Sequence, residues 1–520
     1  MGHNNRQAKL KLDFIIVGGG LATAHALASS GHRVRVFEKS PMGNGSQAGG
    51  FRITPNGYKV LQQWGALDEF TMRGWKMPST EYYDMETGES IGYLGWKEEV
   101  LRELGGEFYT ILHRDLHDIV HDLAVKSGAE IMKDAAVTSV LPPLEDSPVE
   151  SSPSSSKPGC DPSKPSIVLS TGQSFQADII IGADGGRSLV RQVIEQVPKL
   201  PTTNTAVYNA TIPIKKMQDD EGLKEVTEIG HNIWMGNRCC VMAYPVCSKK
   251  AWVFTFWQNE ELNDEDPVGW GTPVPSSCLK YDKLDPRLRT AIANISTLER
   301  VTTSYLPSAN SWVDKSETIL LIGEAAHPFP PCGMPSATIV LEEASFLGTL
   351  FSHLRSRTQI ASFLYTFENL RRSRTHTLHA AELDNITIFS LPPGPERKAR
   401  DDVWREQKKA YVNREIGKGS GSTSGSARGS GEGEHELGDT NSEAENQELL
   451  RQWQELFEIW GYDARDAAES WWVEWGILGE RALNMDMRNA TELHARYETE
   501  ISRGRDALGF HNVEVVAPHS

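Results

Sequence analysis

Basic residues are in short supply in this chain of 520. It carries 53 Lys and Arg against 70 Asp and Glu, a formal net charge of −17. Binding nucleic acid means neutralising a phosphate backbone with basic patches, so a DNA- or RNA-wrapping role is excluded. Long apolar runs are also missing. None approaches the roughly 18 residues that a membrane-spanning helix needs. Cysteine is sparse: the six stand at 160, 239, 240, 247, 278 and 332. They form no CxxC pair and no Cys/His cluster with zinc spacing, so neither a disulfide scaffold nor a metal site is expected. The adjacent Cys239 and Cys240 read as buried thiols. The stretch MGHNNRQAKLKLDF lacks the apolar core of a signal peptide, and Arg6 spoils a myristoylation pattern, so a cytoplasmic setting is expected. No Ser/His/Asp arrangement for nucleophilic catalysis is visible.

What is present suits a globular chain of two to four domains at about 150 residues each, with 39% hydrophobic and 24% charged residues. Two stretches read as disordered, because neither has the apolar content to offset chain entropy. Residues 142–166 are Pro/Ser-rich and read as a long surface loop in a hairpin. Residues 417–446 are Gly/Ser/acid-rich and read as a linker. Residues 13–38 give strand, Gly-rich turn, helix and strand, and residues 115–127 an amphipathic helix. Between 205 and 257, alternating patterns such as AVYNATIPI and RCCVMAYPV predict antiparallel strands. Beyond the linker, Leu449, Leu450, Trp453, Leu456, Phe457 and Trp460 recur at helical spacing.

Three glycine-marked corners carry the chemistry. VGGGLAT (17–23) follows a strand and opens a helix. There Gly18 permits the tight turn, Gly20 lets backbone approach a pyrophosphate, and the helix N-terminus favours an anion. Glu38 ends the next strand, where a carboxylate accepts from ribose hydroxyls. DIIIGADGGRSLVR (178–191) sets Asp184 at a strand's C-terminal end, the ligand-binding end of parallel sheets. ILLIGEAAHPFPP (319–331) ends a strand in Gly323-Glu324 before a Pro-rich turn. His327, just after it, reads as a structural hydrogen-bonder.

In this order, with AGGFRITPNGYKVLQQWGALDEF (48–70), HRDLHDIV (113–120), YNATIP (208–213) and LRRSRTHTLHAAELDN (370–385), the sequence resembles the class A FAD-dependent aromatic monooxygenases, salicylate-hydroxylase-like and of fungal type. The resemblance spans about residues 12–395. It implies an α/β fold: a Rossmann-like, para-hydroxybenzoate-hydroxylase-like FAD-binding domain (1–78, 108–197, 301–395) with an inserted antiparallel-sheet substrate domain (79–107, 198–300). A helical extension (396–416), the linker and a C-terminal helical segment (447–520) would follow. Non-covalent FAD is implied, held at its pyrophosphate by Gly18 and Gly20 and at its ribose by Glu38. Gly49 and Gly50 would lie against it, and Arg114 would meet its phosphate–ribityl region. Asp184 would serve both FAD and NAD(P)H, Gly323 and Glu324 the ribityl chain, and Pro331 and Ala337 the isoalloxazine loop. Thr23 stands where the family has its third glycine, and the motif is about three residues short.

The implied reaction takes hydride from NADH or NADPH and uses O₂, through a flavin C4a-hydroperoxide, to hydroxylate a small phenolic acid or related aromatic metabolite, with or without decarboxylation. Tyr244 and Asn209 are the candidate catalytic residues; Tyr208 and Trp234 are further candidates for the substrate pocket. Two other readings stand beside this one. One is a same-fold oxygenase of a larger polyketide, alkaloid or terpenoid in secondary metabolism. The other is a non-catalytic, flavin-poor binding protein. Oligomeric state is left open.

The charge is unevenly spread. Residues 417–520 carry −11 and the 142–166 loop −2, leaving −4 for the rest. A near-neutral body suits anionic cofactors, and still lacks the basic surplus that nucleic acid requires.

Overall fold

In the strand DFIIVG, Asp13–Gly18, every interior residue is buried. A strand apolar on both faces needs cover on both, as in parallel sheets. The computed structural model describes residues 6–41, 48–144, 161–196, 205–248, 250–259, 272–281, 283–303, 307–329, 333–420, 454 and 456–478. Most of the expected 142–166 loop, the linker beyond 420 and Pro331 lie outside them.

Asp13–Gly18 is the centre of a five-stranded parallel sheet, flanked by Ile179–Ala183 and Arg33–Phe37, with Ile319–Leu321 and Glu130–Met132 at the edges. All three glycine-marked corners therefore leave the same end of adjacent strands. The helices Leu21–Ser29, His113–Lys126 and Ser336–Ser352 pack together on this sheet. A three-stranded antiparallel sheet, Val137–Leu141, Ser166–Leu169 and Ser174–Gln176, adjoins it through Phe37 on Phe175, ring centroids 4.9 Å apart.

The expected antiparallel strands build an eight-stranded sheet. It includes Thr205–Pro213, His231–Met235, Cys239–Val246 and Ala251–Asn259, with one parallel step between His231–Met235 and Ser79–Asp84. Its two faces differ. One buries Tyr208, Trp234, Trp252, Phe254 and Phe256 with the helices Glu221–Glu228 and Pro286–Ala293. The other meets the strand Gly50–Ile53 and the helix Ile360–Phe389.

The helical extension runs Pro395–Ser420, four residues into the stretch expected to be linker. It covers the edge strand Ser90–Gly95, where Trp404 packs on Tyr82 and Tyr411 on Tyr93. Covering an edge removes a row of open hydrogen-bonding groups.

The chain divides into two compact units, Met1–Arg465 and Asp466–Ser520. The stretch 456–465 thus belongs with the main body. Trp460 stacks edge-on to Phe108, and Tyr462 lies against the guanidinium groups of Arg371 (5.5 Å) and Arg374 (4.5 Å). Those two arginines share buried Glu342, at 2.7 and 3.1 Å. Arg374 also donates to the carbonyls of Glu458 and Ile459, each at 2.6 Å. Residues Ala464–Trp471 form a helix, followed by one π-helical turn, Trp472–Gly476. Among the described residues no helix is long and apolar enough to cross a membrane.

Candidate active site

The first two corners touch through backbone. Gly18 has φ +93°, a conformation that L side chains rarely adopt. A Cβ there would also lie 2.5 Å from the Ala183 carbonyl oxygen and 2.7 Å from the Asp184 Cα. By contrast a Cβ on Gly19 would meet nothing within 4 Å. The turn is thus closed by protein on one side and open on the other, the shape of a cradle.

The helix Leu21–Ser29 starts directly after Gly20, and neither a capping side chain nor an acid stands in its first turn. Its N-terminal amides and dipole favour an anion. The shortened motif therefore keeps its helix start. Thr23 is buried, and the close helix contact comes from the facing helix: a Cβ on Gly348 would sit 2.7 Å from that of Ala26.

The helix after the second corner behaves differently. Asp184 Oδ2 accepts from the amides of Leu189 (2.7 Å) and Val190 (3.3 Å), and Ser188 caps Arg191. That helix end is filled from within the chain. Asp184 Oδ1 is buried without a partner among the described residues, and burial raises the carboxyl pKa against the pull of these hydrogen bonds. Glu38 directly follows the strand Arg33–Phe37 and accepts from the Ser40 amide at 2.8 Å.

At the third corner Glu324 faces the second, its Oε2 lying 3.9 Å from where a Gly185 Cβ would be. Glu324 reaches solvent, yet surrounding chain pushes its carboxyl pKa up while His327 pulls it partly back, as on the wall of a cleft. A residue that sequence reasoning passed over organises this loop. Glu343, buried on the helix Ser336–Ser352, accepts from the Gly323 amide at 2.8 Å and binds His327 Nε2. His327 is thus a loop clamp. Ala337, half-buried, packs against a cluster that includes Leu21, Ala22 and Ile53.

The fourth part lies where the strand Gly50–Ile53 meets the large sheet. Gly49 has φ +89°, and a Cβ there would come 2.9 Å from the His113 ring and 3.1 Å from Asn209 Cγ. The Tyr244 hydroxyl donates to the Gly50 carbonyl at 2.6 Å. Thr255 donates to Asn209 Oδ1 at 2.9 Å, which turns the Asn209 amide nitrogen away from that bond. The His113 ring packs against Phe51 in a tilted arrangement, ring centroids 4.2 Å apart. Burial holds His113 neutral, with its pKa lowered to about 4 despite hydrogen bonding to the backbone of Gly50 and Ala48. Arg114, expected at the cofactor, has an exposed side chain 3.9 Å from Asp115; its neighbour His113 is the one against Gly49.

Asn209 and Tyr244 share one face of the sheet. Tyr208 and Trp234 point to the other and pack in its core, so they do not line this site. Successive strand residues point to opposite faces, so Tyr208 and Asn209 cannot both face it. Arg52 and His231, both buried beside Met242 and Tyr244, were also passed over. A lone arginine in the otherwise apolar strand GFRI was the signal available for the first.

These parts fit FAD. The first corner offers a glycine cradle and an uncapped helix end for a pyrophosphate. Acids at the second strand's end and the third corner suit ribose and ribityl hydroxyls. The Gly49-Gly50 backbone offers a flat wall for a ring system.

Comparison with known proteins agrees. The FAD binding domain family matches residues 11–372. The FAD-dependent monooxygenase OpS4 of Beauveria bassiana is 24% identical over 412 residues, 75% of this chain and 88% of its own length. The 3-hydroxybenzoate 6-hydroxylase of Klebsiella oxytoca is 26% identical over 413 residues, 77% and 94% respectively. Among solved structures, a salicylate hydroxylase substrate complex superposes with TM-score 0.60 at 16% identity, covering 79% of this chain and 96% of that one. Klebsiella pneumoniae HpxO, complexed with FAD and uric acid, gives 0.61 at 18% identity, covering 78% and 95%.

Proposed function

Because the chain belongs to the FAD binding domain family and is an FAD-dependent aromatic monooxygenase, we propose that it hydroxylates a phenolic acid or related aromatic metabolite, using NADH or NADPH and O₂. One observation carries this reading. The strand with Gly49 and Gly50, expected against the cofactor ring, is joined by the Tyr244–Gly50 hydrogen bond to the sheet face that bears Asn209. Cofactor wall and substrate wall thus share one seam. The relatives' names support the substrate class: they include 3-hydroxybenzoate 6-hydroxylase and 3-amino-4-hydroxybenzoate 2-monooxygenase.

Gly18, Gly20 and the first helix end would hold the FAD pyrophosphate, Glu38 the ribose and Glu324 the ribityl chain, with Gly49 and Gly50 along the ring. Bound FAD would accept hydride and, with O₂, supply the oxygen that enters the aromatic ring. The chain's own work is positioning and exclusion of water. Tyr244 orients the Gly50 peptide. The Asn209 amide nitrogen, its oxygen already taken by Thr255, is a donor for a substrate oxygen. The neutral His113 ring fixes the Gly49 backbone. Glu343 holds the third corner closed through Gly323 and His327. A cytoplasmic setting is part of the proposal, supported by the sparse cysteine content of the sequence, six in 520 residues.

The test begins with colour. The purified protein should hold FAD or take it up on addition, and aromatic acids should stimulate NAD(P)H oxidation with a product one oxygen heavier. Loss of CO₂ in that product would mark decarboxylation. Failure to bind FAD would favour a non-catalytic binding role and sink the proposal.

A further inference from the structure

The start of the helix Ser336–Ser352 is held on three sides. Ala337 packs on the cluster that includes Leu21 and Ala22 of the first corner's helix. Thr338 is fully buried; the Thr54 amide donates to its hydroxyl oxygen at 3.3 Å, and the two hydroxyl oxygens lie 2.9 Å apart. Thr54 directly follows the strand Gly50–Ile53, the wall expected along the cofactor ring. Ile339, also fully buried, joins a cluster with Phe329 and Leu378. Successive helix residues point about 100° apart, so one helical turn meets the cradle, the ring wall and this third cluster.

Cover for the third cluster comes from far along the sequence. Ile459 packs on the cluster of Phe329, Ile339 and Leu378, and with Met334 also on the cluster that holds Phe108 and Trp460. Phe329 precedes, and Ile339 follows, the stretch that joins the third corner to the helix. Met334 lies in that stretch, its amide donating to Glu382 at 3.1 Å. Polar bonds fix the backbone around Ile459. Arg374 donates to the Glu458 and Ile459 carbonyls at 2.6 Å each. Asn56 Nδ2 donates to the Ile459 carbonyl at 3.4 Å, and Lys59 Nζ to the Gly461 carbonyl at 2.6 Å. These donors stand on two helices, Pro55–Gln63 and Ile360–Phe389, so the Ile459 side chain is set in one place.

We propose that Ile459 is a positioning residue. Acting through Phe329 and Ile339, it holds the helix start against the cradle and the ring wall, and so sets the share of consumed reductant that ends as hydroxylated product. The inference rests on reading the site as that of an aromatic hydroxylase. Removing a supporting side chain leaves a void that its neighbours partly fill by shifting. A displacement of about 1 Å at a reacting site is enough to spoil transfer. Oxygen that escapes transfer takes the hydride supplied by NAD(P)H and one solvent proton, and leaves as hydrogen peroxide.

The test uses the FAD-loaded, full-length protein and an aromatic acid that the wild type hydroxylates. Product formed per NAD(P)H oxidised is measured, with hydrogen peroxide as the balance. In Ile459→Ala this ratio should fall about twofold or more, with peroxide rising to match. Ile459→Leu, of equal volume, should keep the wild-type ratio. Leu288→Ala, in the core on the other face of the large sheet, is the stability control. Its unfolding temperature should drop and its ratio should not. A wild-type ratio in Ile459→Ala, or an equal fall in Leu288→Ala, overturns the assignment of Ile459 and leaves the hydroxylase reading intact. If Ile459→Ala does not fold, Ile459→Val decides: a smaller fall supports the assignment and an unchanged ratio overturns it. If the wild type hydroxylates no aromatic probe, the hydroxylase reading falls and the inference falls with it.

Discussion

The hydroxyl of Tyr244 donates to the carbonyl of Gly50 at 2.6 Å, across 194 residues of sequence. This bond ties the large sheet to the strand expected along the cofactor ring. Tyr244→Phe removes the donor and leaves the carbonyl poorly satisfied, a loss of about 1–2 kcal/mol. If the bond orients the Gly50 peptide for catalysis, kcat/KM should fall about tenfold while the protein stays folded. An unchanged kcat/KM together with unchanged FAD affinity would remove the role given to Tyr244.

The cradle at the first corner separates fold from cofactor. Gly18→Ala forces a Cβ into Ala183 and Asp184, so both thermal stability and FAD affinity should drop. Gly19→Ala enters protein-free space. It should leave the unfolding temperature of the FAD-free protein unchanged and weaken FAD binding at least tenfold. Equal FAD affinity in Gly19→Ala and wild type would mean that the pyrophosphate lies elsewhere.

His32 makes the structure acid-sensitive. Its Nδ1 accepts from the Leu12 amide at 3.2 Å, and its Nε2 donates to the Phe351 carbonyl at 3.1 Å. A proton on Nδ1 would face a donor. Burial lowers its pKa to about 4 from the usual 6.5. The unfolded chain therefore binds the extra proton more readily between these values. The stabilisation is full above pH 6.5 and is lost as pH falls through 4. Unfolding temperature should decline across that window, and less steeply in His32→Gln. Parallel declines in both proteins would refute the assignment.

Tyr462 joins residues beyond the matched family region to the body. Its ring lies against Arg371 and Arg374, which share Glu342. Tyr462→Ala should cost about 1–3 kcal/mol, from lost cation–π contact and burial. Tyr462→Phe should keep most of that stability. A thermal melt that cannot tell the three proteins apart would show that this contact is idle.

Much of the parallel-sheet half was readable because its signals are local. A run such as DFIIVG followed by glycines and a helix can hardly form anything but a buried strand and a tight turn. The helix beginning at His113 and the strands between 205 and 257 followed from periodicity in the same way. The site's remainder was harder to read. Tyr208 looked as good a pocket residue as Asn209, and only the register of the sheet separates them. Glu343 clamps Gly323 and His327 from the facing helix, a relation that no spacing announces. Arg52 was visible as a cation in an apolar strand, yet its proximity to Met242, 190 positions away, was not.

The sequence by itself determined the class of the protein, because glycine corners, terminal acids and strand–helix periodicity depend on neighbours within a few residues. Its modest basic content likewise gave the expectation of no nucleic-acid role without any structure. Tertiary structure alone decided which side chains share a space. A strand has two faces and a one-residue shift exchanges them. It also decided that residues 456–465 pack on the body, because buried guanidinium groups are satisfied by whichever aromatic face and carbonyls the fold brings to them.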